Sequence, residues 1–248
     1  MNEELINIEN LLSSKSTVIS LIVPVPWEAN LDEVSQYINI LDSEERQQLN
    51  KFKVKKKKIE FLLGRILLKG IIGRLLKIKA RDIVFSKGKY GKLYLCDTCE
   101  FYQDIFFNLS HSDGMLVCGI SRCGELGIDV ESTEREFFQI MEVFFLPTEI
   151  DYVNAQVKNE KNDAFYKIWT RKEAFMKLTG KGFSLSPFEF TVPLELGEKN
   201  NTRVEFDSYT PSDRHIMSIA VQKLNKNEKI TFVYINMDLS NLIDLIKE

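Results

Sequence analysis

The sequence predicts an α+β fold built as two similar halves with antiparallel sheets, and three observations carry that prediction. Proline-free stretches with apolar residues at helical spacing are followed by short runs that alternate every second residue, the patterns of helices and of half-buried antiparallel strands. The order of segments repeats: a helix, then DIVFS, then HSDGMLVCGIS in the first half parallels a helix, then PFEFTV, then RHIMSIAVQ in the second. The chain has 248 residues of which 44% are hydrophobic, enough for one large domain or two small ones. The boundary falls near Ser121 to Gly124, dividing the chain into residues 1–122 and 123–248 with no flexible linker between them.

Taken in order, TVISLIVPVP reads as an apolar strand. From Asp42 to Lys77 there is no proline, and Leu49, Phe52, Ile59, Leu62, Leu63, Ile66, Leu67 and Ile71 recur at helical spacing, giving one long helix or two in succession. Asp42 followed by Glu45 is a capping box for its start. DIVFS and KLYL flank KGKYGK, where Gly88 and Gly91 mark a turn, and DIFFNLS and MLVCGIS flank Ser112-Asp113-Gly114 in the same way. GIDVES is a further strand, paired nearby. Residues 132–180 turn helical: EREFFQIMEVFF, a break at Pro147, then a run from about Lys161 to Thr179 closed by Gly180. FEFTV, RVEFDSY, HIMSIAVQ and KITFVYINM then alternate like strands of an antiparallel sheet.

A formal net charge of -3 supplies no global basic field, so nucleic acid and anionic membranes are not expected partners, and phosphate binding requires a local patch. The first residues, MNEELINIENLL, are acidic where a signal peptide is basic, and no uninterrupted apolar run reaches membrane-spanning length, so a cytoplasmic location is expected. Four cysteines are too few for a disulfide scaffold. Cys96-x-x-Cys99 is half of a zinc site that His111 with Cys118 or Cys123 could complete; the stronger reading makes Cys118, inside MLVCGI, a small hydrophobe.

Asp129 and Glu131, two apart in a strand, share one face. Such an oxygen pair suits Mg²⁺ or Mn²⁺, while the same D-x-E is also common on polar strand edges. In WTRKEAFMKLTGKG, Glu173 and Lys177 lie on one helix face with Lys172 one step round, and Phe165, Trp169 and Phe175 show that this helix is seated in a core. Ser110 and His111 point to opposite faces of their strand and G-x-S-x-G is missing, which argues against a hydrolase triad. Six lysines in eight residues from Lys51 to Lys58 make either a solvated helix face or a patch for phosphate or an acidic partner.

FFNLSHS (106–112), GIDVE (127–131) and FYKIWTRKEAFMKLTGKGF (165–183) together resemble, in order and spacing, the three motifs of the Sfp-type 4'-phosphopantetheinyl transferases, with weaker matches in YGK (90–92) and FLLGRILL (61–68). The resemblance implies a monomeric enzyme that moves the phosphopantetheine arm of coenzyme A onto a serine of an apo acyl or peptidyl carrier protein, releasing adenosine 3',5'-bisphosphate. It also implies a pseudo-twofold arrangement with the site in the cleft between the halves. The first half would then contact the adenylate and phosphates, and the second would carry the metal ligands and the catalytic helix. By similarity, Asp129, Glu131 and Glu173 would hold Mg²⁺ with the pyrophosphate, and Glu173 would act as general base on the carrier serine. Lys177 would stabilise the leaving phosphate, His111 would contact a phosphate, and Ser110 with the backbone around Tyr90, Gly91 and Lys92 would hold the adenylate. Two positions depart from the family pattern: Glu60 stands where an arginine for the 3'-phosphate is usual, and Leu93 where proline follows YGK. Lys55, Lys58 or Arg65 would take over the phosphate role. The alternative to the enzyme is a non-catalytic carrier-protein or nucleotide-binding protein on the same fold.

Overall fold

The computed structural model describes residues 8, 10–26, 34–96, 104–196, 203–225 and 228–247. Its first sheet is assembled from β1 (Thr17–Pro24), β4 (Phe106–Ser112), β5 (Met115–Ser121) and β9 (Thr231–Asn236), in the order β4-β5-β1-β9. The second contains β6 (Leu126–Ser132), β7 (Val204–Ser212) and β8 (His215–Gln222), in the order β6-β8-β7. β2 (Phe85–Lys87) and β3 (Leu93–Leu95) form a separate two-stranded ribbon around Gly88 and Gly91.

Period-two alternation decides what lies on each side of these sheets. In the first sheet Ile19, Leu21, Leu116, Cys118 and Ile120 face one way, onto Leu62, Leu63, Ile66 and Leu67 of the long helix α2 (Lys55–Leu76). Val18, Ile22, Met115 and Val117 face the other way and meet Leu126, Ile128, Val130, Met217, Ile219 and Val221 of the second sheet. The far side of the second sheet is covered by α5 (Lys158–Thr179). The layers therefore run helix, sheet, sheet, helix. The two halves repeat the unit strand, helix, hairpin: β1, α2, β4-β5 and β6, α5, β7-β8. Even the hairpin tips correspond, Ser112-Asp113 in one and Ser212-Asp213 in the other. In the first hairpin Asp113 (φ 38°) and Gly114 (φ 85°) both have positive φ, as a two-residue turn matching the strand twist requires.

The helical stretch from Asp42 is two helices, α1 (Ser43–Lys51) and α2, separated at Phe52–Val54. Asp42 accepts from the Glu45 amide at 2.9 Å and Glu45 accepts from the Asp42 amide at 3.2 Å, so the predicted capping box is present. α5 ends at Gly180 in the left-handed conformation, also as predicted.

Several expectations are corrected. PFEFTV is not a strand; the peptide oxygens of Pro187 and Phe190 accept instead from the buried Lys172 ammonium at 2.8 and 3.3 Å, which holds this segment against α5. Little of EREFFQIMEVFF is helical beyond a 3-10 turn and the short helix α3 (Met141–Phe144), and Pro147 starts α4 (Pro147–Ala155) rather than merely breaking a helix. KITFVYINM does not join the second sheet: β9 crosses back to pair with β1 in parallel, and α6 (Leu239–Asp244) packs on α2 and β1. Of the half-zinc pattern, Cys99 lies outside the described residues, while Cys118 is buried in β5 with its thiol pushed up to about 12 by desolvation, an inert core residue. Among the described residues no helix is long and apolar enough to cross a membrane.

Candidate active site

β4 and β6 are edge strands of different sheets, and they face each other across the middle of the molecule. The even residues of β4 reach β6: Asn108 Oδ1 accepts from the Ile128 amide at 3.1 Å, Ser110 Oγ donates to Asp129 Oδ1 at 2.9 Å, and Ser112 Oγ donates to Glu131 Oε2 at 2.9 Å. Sequence reading singled out Ser110 and missed Asn108 and Ser112. Their spacing of two in one strand was the available signal. The odd residues Phe107, Leu109 and His111 face the opposite way, toward α2. β4 is thus a shared wall with a carboxylate cluster on one side and a groove on the other.

The cluster takes Asp129 and Glu131 from β6 and Glu173 and Lys177 from α5. Lys177 Nζ donates to Asp129 Oδ1 at 2.7 Å and to Ser110 Oγ at 2.8 Å. That contact requires α5 to lie almost on the β6 backbone, which Gly127 allows: a Cβ there would overlap the Ala174 carbonyl oxygen and the Leu178 amide nitrogen. Glu131 is pushed up to about 7, first by desolvation and then by the Asp129 charge, with Ser112, Lys177 and Trp169 pulling it back. Glu173 also stands at about 7, for the same two leading reasons, Lys177 offsetting part and Glu131 adding to the rise. Asp129 is 3% exposed and its Oδ2 has no hydrogen-bond partner among the described residues. Three acids that repel one another around an orphaned buried oxygen are a donor set that a divalent cation suits. No three His, Cys, Asp or Glu side chains among the described residues converge as a ready-made cage. Mg²⁺ commonly keeps several waters, so a set of carboxylates that does not close around it can still suit it.

The raised acids fix a pH response. Folded Glu131 and Glu173 keep protons to about 7, whereas unfolded glutamates release them near 4.5, so between these values the folded state binds more protons and stability falls as pH rises. The metal-free melting temperature is expected to decline from about pH 5 to about pH 7.5, and a scan of Glu131→Gln with Glu173→Gln to be flatter across that window.

On the other side of β4, a groove of about 460 Å³ is lined by Lys57, Glu60, Arg65, Gly91, Lys92 and His111, with Phe52, Phe61 and Phe107 among its apolar walls. Positions 57, 60, 61, 65 and 68 form one face of α2, and this period explains why Lys57 reaches the groove while Lys55 and Lys58 do not line it. The lysine run carries a further signal. Four lysines sit in the first turn of α2, at the positive end of its dipole and behind Val54, which offers no side-chain cap. Asp113 at 3.3 Å from Lys56 and Glu60 at 2.8 Å from Lys57 offset part of that charge.

Other proposed contacts have partners of their own. Arg65 Nε lies 2.8 Å from Glu45 Oε1, an ion pair without hydrogen-bond alignment, and its guanidinium covers the Phe61 ring. Lys92 is 8% exposed, its ammonium donating to Glu125 Oε2 at 2.6 Å and to the carbonyls of Leu126 and Leu178. It braces the turn between β2 and β3 against β6 and the end of α5. Gly91 lines the groove with φ 92°, and Tyr90 is half-exposed beside it. His111 Nδ1 is 3.6 Å from Glu60 Oε2; burial lowers its pKa, with Glu60 only partly offsetting, although 39% of the side chain stays accessible. Trp169 packs against the core as expected, stacking on Phe144 at 4.3 Å, and its partly exposed side lies beside Glu131 at the wall of the site. Phe144 and Phe145 are buried in the core beneath it.

Two α+β halves, with paired acids and a lysine where they meet and a groove opening behind, make a site whose charges suit a phosphate ester. The 4'-phosphopantetheinyl transferase superfamily model matches residues 125–232, and the model for the N-terminal part of 4'-phosphopantetheinyl transferases matches residues 25–123. The chain is 33% identical over 181 residues to the 4'-phosphopantetheinyl transferase Sfp of Bacillus subtilis (strain 168), covering 73% of this chain and 78% of that one. It is 29% identical over 211 residues to the 4'-phosphopantetheinyl transferase gsp of Aneurinibacillus migulanus, 85% of this chain and 78% of the relative. With HetI of Nostoc sp. (strain PCC 7120) the identity is 29% over 165 residues, 64% and 69% of the two chains. The chain belongs to the Sfp-type 4'-phosphopantetheinyl transferases.

Proposed function

We propose that this enzyme transfers the 4'-phosphopantetheine group of coenzyme A to a serine of an apo acyl or peptidyl carrier protein, releasing adenosine 3',5'-bisphosphate. The observation that carries the reading is the pairing of the Asp129, Glu131, Glu173 and Lys177 cluster with a groove on the other face of the same strand. The coenzyme's nucleoside end lies in the groove beside His111, Gly91 and the turn of Lys92, and its pyrophosphate reaches the cluster at the end of β4. The N-terminal half so supplies the adenylate contacts and the C-terminal half the acids.

In the reaction the carrier serine Oγ attacks the phosphorus nearer the pantetheine. A new P–O bond forms there, and the bond to the bridging oxygen breaks, leaving both electrons on the bisphosphate. Glu173, beside Asp129 and Lys177, takes the serine proton as general base. Lys177, held by Asp129 and Ser110, places its charge where the leaving phosphate gains its own. Asp129, Glu131 and Glu173 would hold Mg²⁺ or Mn²⁺, which supplies charge neutralisation for the pyrophosphate. No nucleophile of the enzyme is used, which agrees with Ser110 and His111 facing opposite ways.

Intact-mass spectrometry of an apo carrier incubated with the enzyme, coenzyme A and Mg²⁺, beside a sample with EDTA, tests the proposal. A phosphopantetheine mass increase that EDTA abolishes is expected. Coenzyme A binding without any increase on several unrelated carriers would move the chain to the non-catalytic binder.

A further inference from the structure

The groove's charges are largely settled before any ligand arrives. Lys57 Nζ is 2.8 Å from Glu60 Oε2, Arg65 is paired with Glu45 at 2.8 Å, and Lys92 with Glu125 at 2.6 Å. Glu60 is 5% exposed, and its carboxylate lines the groove between Lys57 and His111. Of the lysines and arginine lining the groove, Lys87 alone has no carboxylate partner among the described residues. His111 faces the same carboxylate at 3.6 Å, and burial disfavours its charged form.

A buried carboxylate is an acceptor. It receives hydrogen bonds from hydroxyls and repels a phosphate dianion, and protein acids elsewhere select a free ribose hydroxyl over a phosphorylated one by this means. Seating a 3'-phosphate beside Glu60 would bring two like charges next to a buried carboxylate, with the Lys57 ammonium shared between them, which is costly. A ribose 3'-hydroxyl brings no such charge. Lys57, with half of its side chain accessible, remains where it is.

We propose that Glu60 sets donor specificity in this enzyme, so that a coenzyme A lacking the 3'-phosphate, with a free ribose 3'-hydroxyl, is used about as well as coenzyme A itself. The inference rests on the transferase reading above and concerns only the nucleoside end of the donor. The leaving group is then adenosine 5'-phosphate in place of the bisphosphate, and the bond broken is the same.

The test measures transfer to one apo carrier from coenzyme A and from 3'-dephospho-coenzyme A, with wild type, Glu60→Gln and Glu60→Arg, and calorimetric binding of adenosine 3',5'-bisphosphate and adenosine 5'-phosphate to each. For wild type the two donors are expected to agree in kcat/KM within about tenfold, and Glu60→Arg to move the ratio toward coenzyme A by about tenfold or more, chiefly through KM. The isosteric Glu60→Gln, which preserves the side-chain shape, is expected to move it the same way by less, with an unchanged melting temperature. A wild-type preference for coenzyme A beyond about tenfold, or a ratio indifferent to both substitutions, overturns the assignment of Glu60. If neither donor supports transfer, the transferase reading fails instead, and the ratio of the two nucleotide affinities still decides whether Glu60 reads the 3' position.

Discussion

Asp129→Asn is expected to lower kcat/KM for transfer by roughly a thousandfold while leaving the melting temperature of the metal-free protein unchanged or raised. The side chain is isosteric, so contacts to Ser110 and Lys177 remain sterically possible. What disappears is a charge on which three other groups depend. Lys177, with 28% of its side chain accessible, loses its counter-ion and turns toward solvent, away from the leaving phosphate. Glu131 and Glu173 lose the repulsion that helps to hold them at about 7, which leaves Glu173 a weaker base. The orphaned Oδ2, the donor proposed for a cation, becomes an amide or a neutral carbonyl. The same repulsion is unfavourable to the empty fold, which is why stability is not expected to suffer. Initial rates by intact-mass spectrometry together with thermal melting separate the two effects. Activity within tenfold of wild type would remove Asp129 from the machinery, and a large drop in melting temperature would make its role structural.

Much of this site was legible because its residues obey short periods. D-x-E on a strand, E-x-x-x-K on a helix and S-H at the end of a strand each put their groups on defined faces, and the structure brings Ser110, Asp129, Glu131, Glu173 and Lys177 to one place. Less legible was anything decided by a partner element. Nothing local says that β9 returns to β1 in parallel, because its alternation would serve either sheet. For Lys92 only a backbone role beside the adenylate was expected, and nothing local says that its ammonium is taken up by Glu125 and two carbonyls from β6 and the end of α5. Glu45 announced itself as a cap, and its second role with Arg65 and Lys69 depends on the packing of α1 on α2. PFEFTV alternates like a strand, yet the buried Lys172, paired with Glu149 at 3.0 Å, takes two of its carbonyls. A buried ammonium needs several acceptors, and that need outweighs the pattern. Trp169 packs on the core as its period implies, stacked on Phe144 and Phe165, and only its partial exposure beside Glu131 was not legible.

Gly127→Ala is expected to be among the most damaging single-methyl changes in the chain. The residue lies in β6 on the face covered by α5, and the added carbon would meet backbone atoms of Ala174 and Leu178, which no rotamer change can move. The alternatives are to lift α5 from the strand or to bend β6, which pairs with β8 along Leu126 to Ser132. Either way the helix separates from the acids it faces, and the 2.7 Å contact of Lys177 with Asp129 is lost or lengthened. Overpacking of this kind costs about 1–3 kcal/mol and here, against rigid backbone on both sides, about 3 kcal/mol or more. Activity is expected to fall further than stability, because a shift of about 1 Å in Glu173 and Lys177 can cost about a hundredfold in rate. Urea unfolding gives the first quantity and carrier modification under native conditions the second. If Gly127→Ala unfolds within about 0.5 kcal/mol of wild type and turns over normally, α5 does not sit as close to β6 as the geometry shows, and the positions assigned to Glu173 and Lys177 fall with it.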